Sequence, residues 1–296
     1  MRIISGRFRS RKLFTPKDAE TTRPIPDRVK ESIFSMLRGN CEGAQVIDCF
    51  AGTGAIGLEA LSRGAERVVF VERERRAAEM LRKNIEALEV QDETEIVQAD
   101  ALGPAALARC PKPVDLVFFD PPYPLMLDPE RFPHVMRALG RFVDLLSDSG
   151  FAILRTPSPL RQLHVFDPNG LEIPFGDERN PFDTYGRVRK DRPPPSGKRH
   201  QGERRRVYSE GERRRRQDRE DRGEKSWELD EIDLDAIQAD TDEQEMLDAI
   251  AELGPARGLK IVREPVDLAL ENAVGPETHL YASMAVHFYM RKKEKA

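Results

Sequence analysis

Residues 45–57, Gln45-Val46-Ile47-Asp48-Cys49-Phe50-Ala51-Gly52-Thr53-Gly54-Ala55-Ile56-Gly57, decide the fold. The stretch Gln45–Phe50 reads as a strand. Gly52, Gly54 and Gly57 then stand at the spacing GxGxxG, and Ala55 opens a helical stretch to Arg63. A strand that runs through such a loop into a helix aims backbone N–H groups at whatever lies beyond the strand end, and the glycines let that ligand approach closely.

The same alternation continues on the C-terminal side. Further strands are predicted at Arg67–Val71, Thr94–Gln98, Val114–Phe119 and Phe151–Arg155, with helices near Ala55–Arg63, Arg75–Leu88, Leu102–Ala108 and Pro129–Leu146. Strand and helix in alternation imply parallel strands joined by right-handed crossovers. Unbroken apolar strands such as Val117-Phe118-Phe119 suit a sheet covered on both faces. On the N-terminal side, residues 1–14 read as a basic hairpin or extended arm that turns at Gly6. A helix is predicted over Arg28–Arg38, with Asp27 as its N-cap and Val29, Ile33, Phe34, Met36 and Leu37 on its apolar face.

Charge is strongly segregated. The 296 residues are 34% charged, above the ordinary quarter or so, yet the net charge is only -4. Residues 1–38 hold ten Lys/Arg against four acids, residues 187–225 sixteen against eight, and residues 226–252 eleven acids with no Lys or Arg. The segment with Pro193-Pro194-Pro195, Arg204–Arg206 and Arg213–Arg216 has few apolar residues and reads as a disordered or weakly ordered insertion. The expected organisation is an arm and helix over 1–38, a cofactor-binding and catalytic core over 39–156, the charged insertion over 157–243, and a last helix with a closing hairpin over 244–296. In that last part a helix is expected near Gln244–Leu253 and strands near Leu259–Val266 and Leu280–Arg291, the final pair joined by a turn that includes Asn272 and Gly275-Pro276. Met284, Val286, Phe288 and Met290 share a face of the last strand, which puts His287 on the solvent side.

Cys41, Cys49 and Cys110 fit neither a zinc site nor a disulfide framework, and the five histidines show no metal spacing. No run approaches the length of a membrane span, and the N-terminus lacks the apolar core of a signal peptide. A cytoplasmic monomer without metal is expected.

Two strand ends carry the chemistry. Glu72 ends the second strand, twenty residues past Gly52, where an acid accepts hydrogen bonds from ribose hydroxyls. NAD and S-adenosylmethionine both carry an adenosine. Asp48, before the glycines, and Asp100, after the third strand, favour S-adenosylmethionine: the first to orient the loop and engage the methionine moiety, the second to reach the adenine. Asp100 is equally a candidate helix N-cap. Asp120-Pro121-Pro122-Tyr123 ends the fourth strand. The Asp120 carboxylate and the Pro121 carbonyl can accept hydrogen bonds from an exocyclic amine, and Tyr123 offers a face for the ring that carries it. Held this way, the nitrogen aims its lone pair at a methyl carbon. Asp120 is also a candidate to take up the proton after transfer.

Four ordered motifs carry a resemblance. Arg2-Ile3-Ile4-Ser5-Gly6 with Arg11-Lys12-Leu13, Arg23-Pro24 with Asp27-Arg28-Val29-Lys30-Glu31, Asp48–Gly54 with Gly57-Leu58-Glu59-Ala60, and Asp120–Tyr123 are similar to the bacterial small-subunit ribosomal RNA guanine-N2 methyltransferases. The resemblance covers residues 1–156 and about 259–292. It implies a class I Rossmann-like fold with a seven-stranded, mostly parallel sheet whose last strand is antiparallel. It implies S-adenosylmethionine as cofactor, held by Phe50, Ala51, Gly52, Thr53, Gly54, Glu72 and Asp100, with the guanine amine held by Asp120, Pro121 and Tyr123. It implies 16S ribosomal RNA, free or in an assembling small subunit, as partner. The family usually has two threonines where this chain has Ile25 and Pro26, and it lacks the long insertion.

Arg2, Arg7, Arg9, Arg11 and Lys12, with Arg23 and Arg28, are candidate phosphate contacts, and the basic insertion is a candidate RNA tether. The rival readings are a DNA adenine-N6 or protein amide methyltransferase, a nicotinamide oxidoreductase that leaves Asp120–Tyr123 unexplained, and a non-catalytic ribosome-assembly factor.

Overall fold

The computed structural model describes residues 1–15, 25–175, 177, 259–281 and 284–293. Arg23, the arginine runs of the insertion and the helix expected near Gln244–Leu253 lie outside the described residues. Six α-helices are described: α1 (Asp27–Met36), α2 (Ala55–Ser62), α3 (Arg75–Leu88), α4 (Pro104–Arg109), α5 (Tyr123–Leu127) and α6 (Phe132–Val143). Nine strands are described: β1 (Gln45–Cys49), β2 (Arg67–Val71), β3 (Thr94–Val97), β4 (Val114–Phe119), β5 (Leu146–Pro157), β6 (Arg161–Phe166), β7 (Lys260–Pro265), β8 (Ala273–Leu280) and β9 (Met284–Arg291).

Seven strands form one sheet in the order β3-β2-β1-β4-β5-β9-β8. The pairs from β3 through β5 are parallel, and β9 runs antiparallel to both β5 and β8. This is the class I, Rossmann-like arrangement. Successive strand residues serve opposite cores. Val68 and Phe70 face a core shared with α1, α2 and α3, whereas Val69 and Val71 face one shared with α4 and α6. Both faces of the sheet are therefore buried, as the unbroken apolar strands require.

The N-terminal arm is a hairpin fixed to the outside of α2. Ile3 N donates to Arg11 O and Ser10 N to Ile3 O, and Gly6 turns the chain at φ 83°. A Cβ at Gly6 would lie 1.7 Å from the Ser62 carbonyl oxygen, so only glycine fits there. Glu59, fully buried on α2, accepts from the backbone of Ile4 (2.7 Å) and Ser5 (3.0 Å). It also pairs with the buried Lys30 (3.2 Å) and with Arg63 (2.8 Å). Lys30 in turn donates to the Arg2 carbonyl at 2.7 Å. One carboxylate thus joins arm, α1 and α2, and its two cations offset the cost of burying it.

Several expectations are corrected. Asp27 is the first helical residue of α1 rather than its N-cap; Pro26 takes that position, and the Asp27 carboxylate accepts from Arg2 Nε (3.0 Å). The helix expected over Pro129–Leu146 is α6, shorter at both ends, and a further short helix not expected, α5, precedes it directly after Asp120-Pro121-Pro122. The final hairpin pairs β8 with β9, and Gly275-Pro276 sits within β8 at a register shift rather than in the turn. The strand at Lys260–Pro265 pairs instead with Arg161–Phe166 in a separate two-stranded sheet, so residues just past 157 are ordered. His287 is buried, not on the solvent side, because β9 lies between β5 and β8 and both its faces are covered. Thr156 and Thr278 hydroxyls flank its ring at 2.9 and 2.8 Å, and burial lowers its pKa to about 4.

Candidate active site

Register gathers the candidate residues into one row. Cys49 pairs with Val71 on one side and with Phe119 on the other, and Phe119 pairs with Leu154. One position further along, Glu72, Phe50, Asp120 and Arg155 stand side by side at the carboxyl ends of β2, β1, β4 and β5. That is the edge where open α/β sheets bind ligands, at the point where strand order reverses between β1 and β4.

The glycine loop is built from conformations that few residues adopt. Phe50, Gly52 and Gly54 have φ of 61°, 56° and 83°. A non-glycine residue at positive φ is strained, and such strain concentrates at functional sites. Phe50 is held there with its ring edge-on to Phe119, centroids 5.2 Å apart. A Cβ on Gly54 would lie 2.4 Å from Leu81 Cδ1, and one on Gly57 would lie 2.4 Å from the Phe70 ring, so these two glycines serve close packing. A Cβ on Gly52 would meet nothing within 4 Å: the loop opens to space there.

Backbone amides fix the carboxylates on this side. Glu72 accepts from Gly52 N (2.7 Å) and Glu74 N (2.6 Å). Asp100 accepts from Leu102 N (2.9 Å), a turn just before α4, and pairs with Arg73 at 3.3 Å; the N-cap of α4 is Gly103. Asp48 is buried beneath the loop and accepts from Gly57 N at 2.8 Å, so its carboxylate orients the first turn of α2. Burial pushes its pKa up to about 8; the Gly57 hydrogen bond opposes this, and Asp120 and Glu72 add to it. The Asn84 side chain, buried on α3, donates to Thr53 O (2.9 Å) and also binds Phe14 N (2.6 Å) and O (3.1 Å). It ties the glycine loop to the arm. An amide on the apolar face of an otherwise amphipathic helix was the signal for it in the sequence.

The side at β4 and β5 is built differently. Asp120 N donates to Cys49 O at 3.4 Å, which brings the Asp-Pro-Pro-Tyr strand end against the glycine strand. The Asp120 carboxylate takes a bidentate pair from Arg155, Nε to Oδ1 at 2.7 Å and Nη2 to Oδ2 at 2.8 Å. The Arg155 guanidinium carbon is 5.9 Å from the Tyr123 ring centroid. Pro122 caps α5, which begins at Tyr123.

The basic arm residues are exposed but not all are unengaged. Arg2 pairs with Asp27, Arg7 with Glu93, and Arg11 donates to the Ala87 carbonyl. Arg9, Lys12 and Arg28 are exposed as well. A second basic face, not foreseen, lines a groove of about 610 Å³ between Leu102, Leu125, the α6 N-cap Arg131 and the α6 residues His134, Arg137 and Arg141. Among the described residues no group of three or more His, Cys, Asp or Glu could hold a metal ion, and no helix is long and apolar enough to cross a membrane.

The model of the family described as conserved hypothetical protein 95 matches residues 1–166, more than half of the chain. Ribosomal RNA small subunit methyltransferase D of Escherichia coli K12 is 38% identical over 151 residues, 51% of this chain and 69% of that protein. A putative rRNA methyltransferase of Bacillus subtilis is 39% identical over 124 residues, 42% of this chain and 67% of that protein. Among solved structures, a putative methyltransferase from Escherichia coli is 32% identical, covering 53% of this chain and 80% of that one with a TM-score of 0.42. The chain belongs to the conserved hypothetical protein 95 family, the family of bacterial small-subunit ribosomal RNA methyltransferases that its four motifs resemble.

Proposed function

We propose that this protein transfers the methyl group of S-adenosylmethionine to the exocyclic N2 amine of a guanine in 16S ribosomal RNA, in the cytoplasm. One observation carries the reading: the glycine loop and Asp120–Tyr123, about seventy residues apart in sequence, end adjacent strands, joined by the Asp120 N to Cys49 O hydrogen bond. A cofactor pocket and an amine pocket on neighbouring strands are what methyl transfer between them needs.

The residues fit the cofactor. The loop opens to space at Gly52. Beside it, the Glu72 carboxylate is fixed by two backbone amides with lone pairs left for ribose hydroxyls. Phe50 to Gly54, Glu72 and Asp100 would hold it, with Asp48 supporting the loop from below. When bound, S-adenosylmethionine supplies an electrophilic methyl carbon. Asp120 and the Pro121 carbonyl accept the two amine hydrogens, and Tyr123 stacks on the base. This fixes the nitrogen in line with the methyl carbon and so converts a bimolecular encounter into a positioned one. The guanine must leave its stack to reach a pocket of this kind. Arg9, Lys12, Arg28 and the basic face of α6 support an RNA partner through phosphate contacts.

The test is incubation with radiolabelled S-adenosylmethionine and small ribosomal subunits lacking the modification, beside duplex DNA and total protein. Label in 16S rRNA alone is expected. Label in DNA or protein would keep the chemistry and replace the substrate; cofactor binding with no transfer would favour the assembly-factor reading.

A further inference from the structure

We propose that Arg155 is the positioning residue of the amine pocket: through its bidentate pair it sets the plane of the Asp120 carboxylate and so the direction from which the target amine is held. The inference rests on the methyltransferase reading above. Sheet order and register carry it. Phe119 pairs with Leu154, so Asp120 and Arg155 follow as neighbours at the ends of adjacent strands. The pair has little solvent around it, with side chains 17% and 12% exposed. A fork that donates to both oxygens removes the carboxylate's rotational freedom in a way one point charge cannot.

The pairing has a stereochemical consequence. Arg155 occupies the side of the carboxylate between its two oxygens, one lone pair on each. The amine must use a lone pair directed away from the guanidinium. Asp120 therefore acts as an oriented acceptor. Arg155 is the cationic partner that the row supplies to Asp120. The same guanidinium lies near the face of Tyr123, so one side chain contacts both groups proposed to hold the base.

The account requires Arg155 to act through Asp120, which a double-variant cycle tests. Arg155→Gln, Arg155→Lys, Asp120→Asn and Asp120→Asn/Arg155→Gln would be compared by single-turnover methyl transfer to 16S rRNA, by S-adenosylhomocysteine affinity and by melting. Arg155→Gln should lower the transfer rate about tenfold to a hundredfold, the loss expected for a displaced reacting group, with KM for RNA and cofactor affinity little changed. Arg155→Lys, which keeps the charge without the fork, should recover only part of that loss. The double variant should be no slower than Asp120→Asn alone. Arg155→Gln at the wild-type rate would overturn the proposal, as would a raised KM with unchanged rate or a double variant slower than Asp120→Asn. If the wild-type protein methylates no 16S rRNA, the proposed function fails, and the pair is still tested without substrate. The Arg155 Nε–H resonance should be protected from exchange in the wild type and lose that protection in Asp120→Asn; an unprotected wild-type resonance contradicts the pairing. Should Arg155→Gln not fold, Arg155→Lys and that resonance decide alone.

Discussion

The two halves of the strand-end row are built by different means. At β1, β2 and β3, each carboxylate is held by backbone N–H groups: Asp48 by Gly57, Glu72 by Gly52 and Glu74, Asp100 by Leu102. At β4 and β5, a carboxylate is held by a side chain from the next strand, Arg155 on Asp120. The first design fixes geometry within at most twenty residues of chain. The second depends on the sheet having closed in the right order. The half proposed to hold the cofactor should therefore tolerate changes to charge better than changes to backbone, and the half proposed to hold the amine the reverse.

The largest expected effect is on the amine half. Asp120→Ala should cut single-turnover transfer by a factor on the order of 10²–10⁴, the range for a positioned acid–base group, while S-adenosylhomocysteine affinity stays at the wild-type value. A matching loss of cofactor affinity would break the division into halves. Next is Gly54→Val on the cofactor half. Its Cβ would meet Leu81 at 2.4 Å from a backbone at φ 83°. Overpacking of this kind costs about 1–3 kcal/mol, read as a lower urea midpoint together with weakened cofactor binding. Wild-type stability in this variant would mean that the loop yields easily.

Glu72→Gln keeps the shape and removes the charge. One of its two amide acceptors is replaced by an NH₂ group, and cofactor affinity should fall about tenfold, the worth of one hydrogen bond to a charged group. Affinity unchanged by this variant would take Glu72 out of the cofactor pocket. The remaining effect is a slope rather than a step. The Asp48 pKa is about 8 in the folded protein against about 3.9 in an unfolded chain. The folded state therefore holds this proton more tightly. The stability it contributes is full below about pH 4 and is lost as pH rises through about 8. Asp48→Asn should flatten urea-derived stability between pH 5 and pH 8 relative to wild type. An equal slope in both proteins would place the titration elsewhere.

What was legible in the sequence follows the same division. β2, β4 and α3 lie at the residues their apolar patterns predict, because each pattern is local. The glycine loop and the Glu72 position were legible for the same reason. Arg155 was not, although the signal existed: Val117-Phe118-Phe119-Asp120 beside Ala152-Ile153-Leu154-Arg155 ends two neighbouring apolar strands in opposite charges. Lys30 was missed because a lysine is expected in solvent, yet it shares a helix stripe with Phe34 and Leu37, the pattern of a buried residue. His287 misled because alternation marks an exposed face only in a strand with one side covered.

The most direct measurement is mass spectrometry of nucleosides from 16S rRNA of small subunits incubated with S-adenosylmethionine and either the wild-type protein or Asp120→Ala. The account predicts N2-methylguanosine with the wild type and none with the variant. N6-methyladenosine, or N2-methylguanosine formed equally by both proteins, would contradict it.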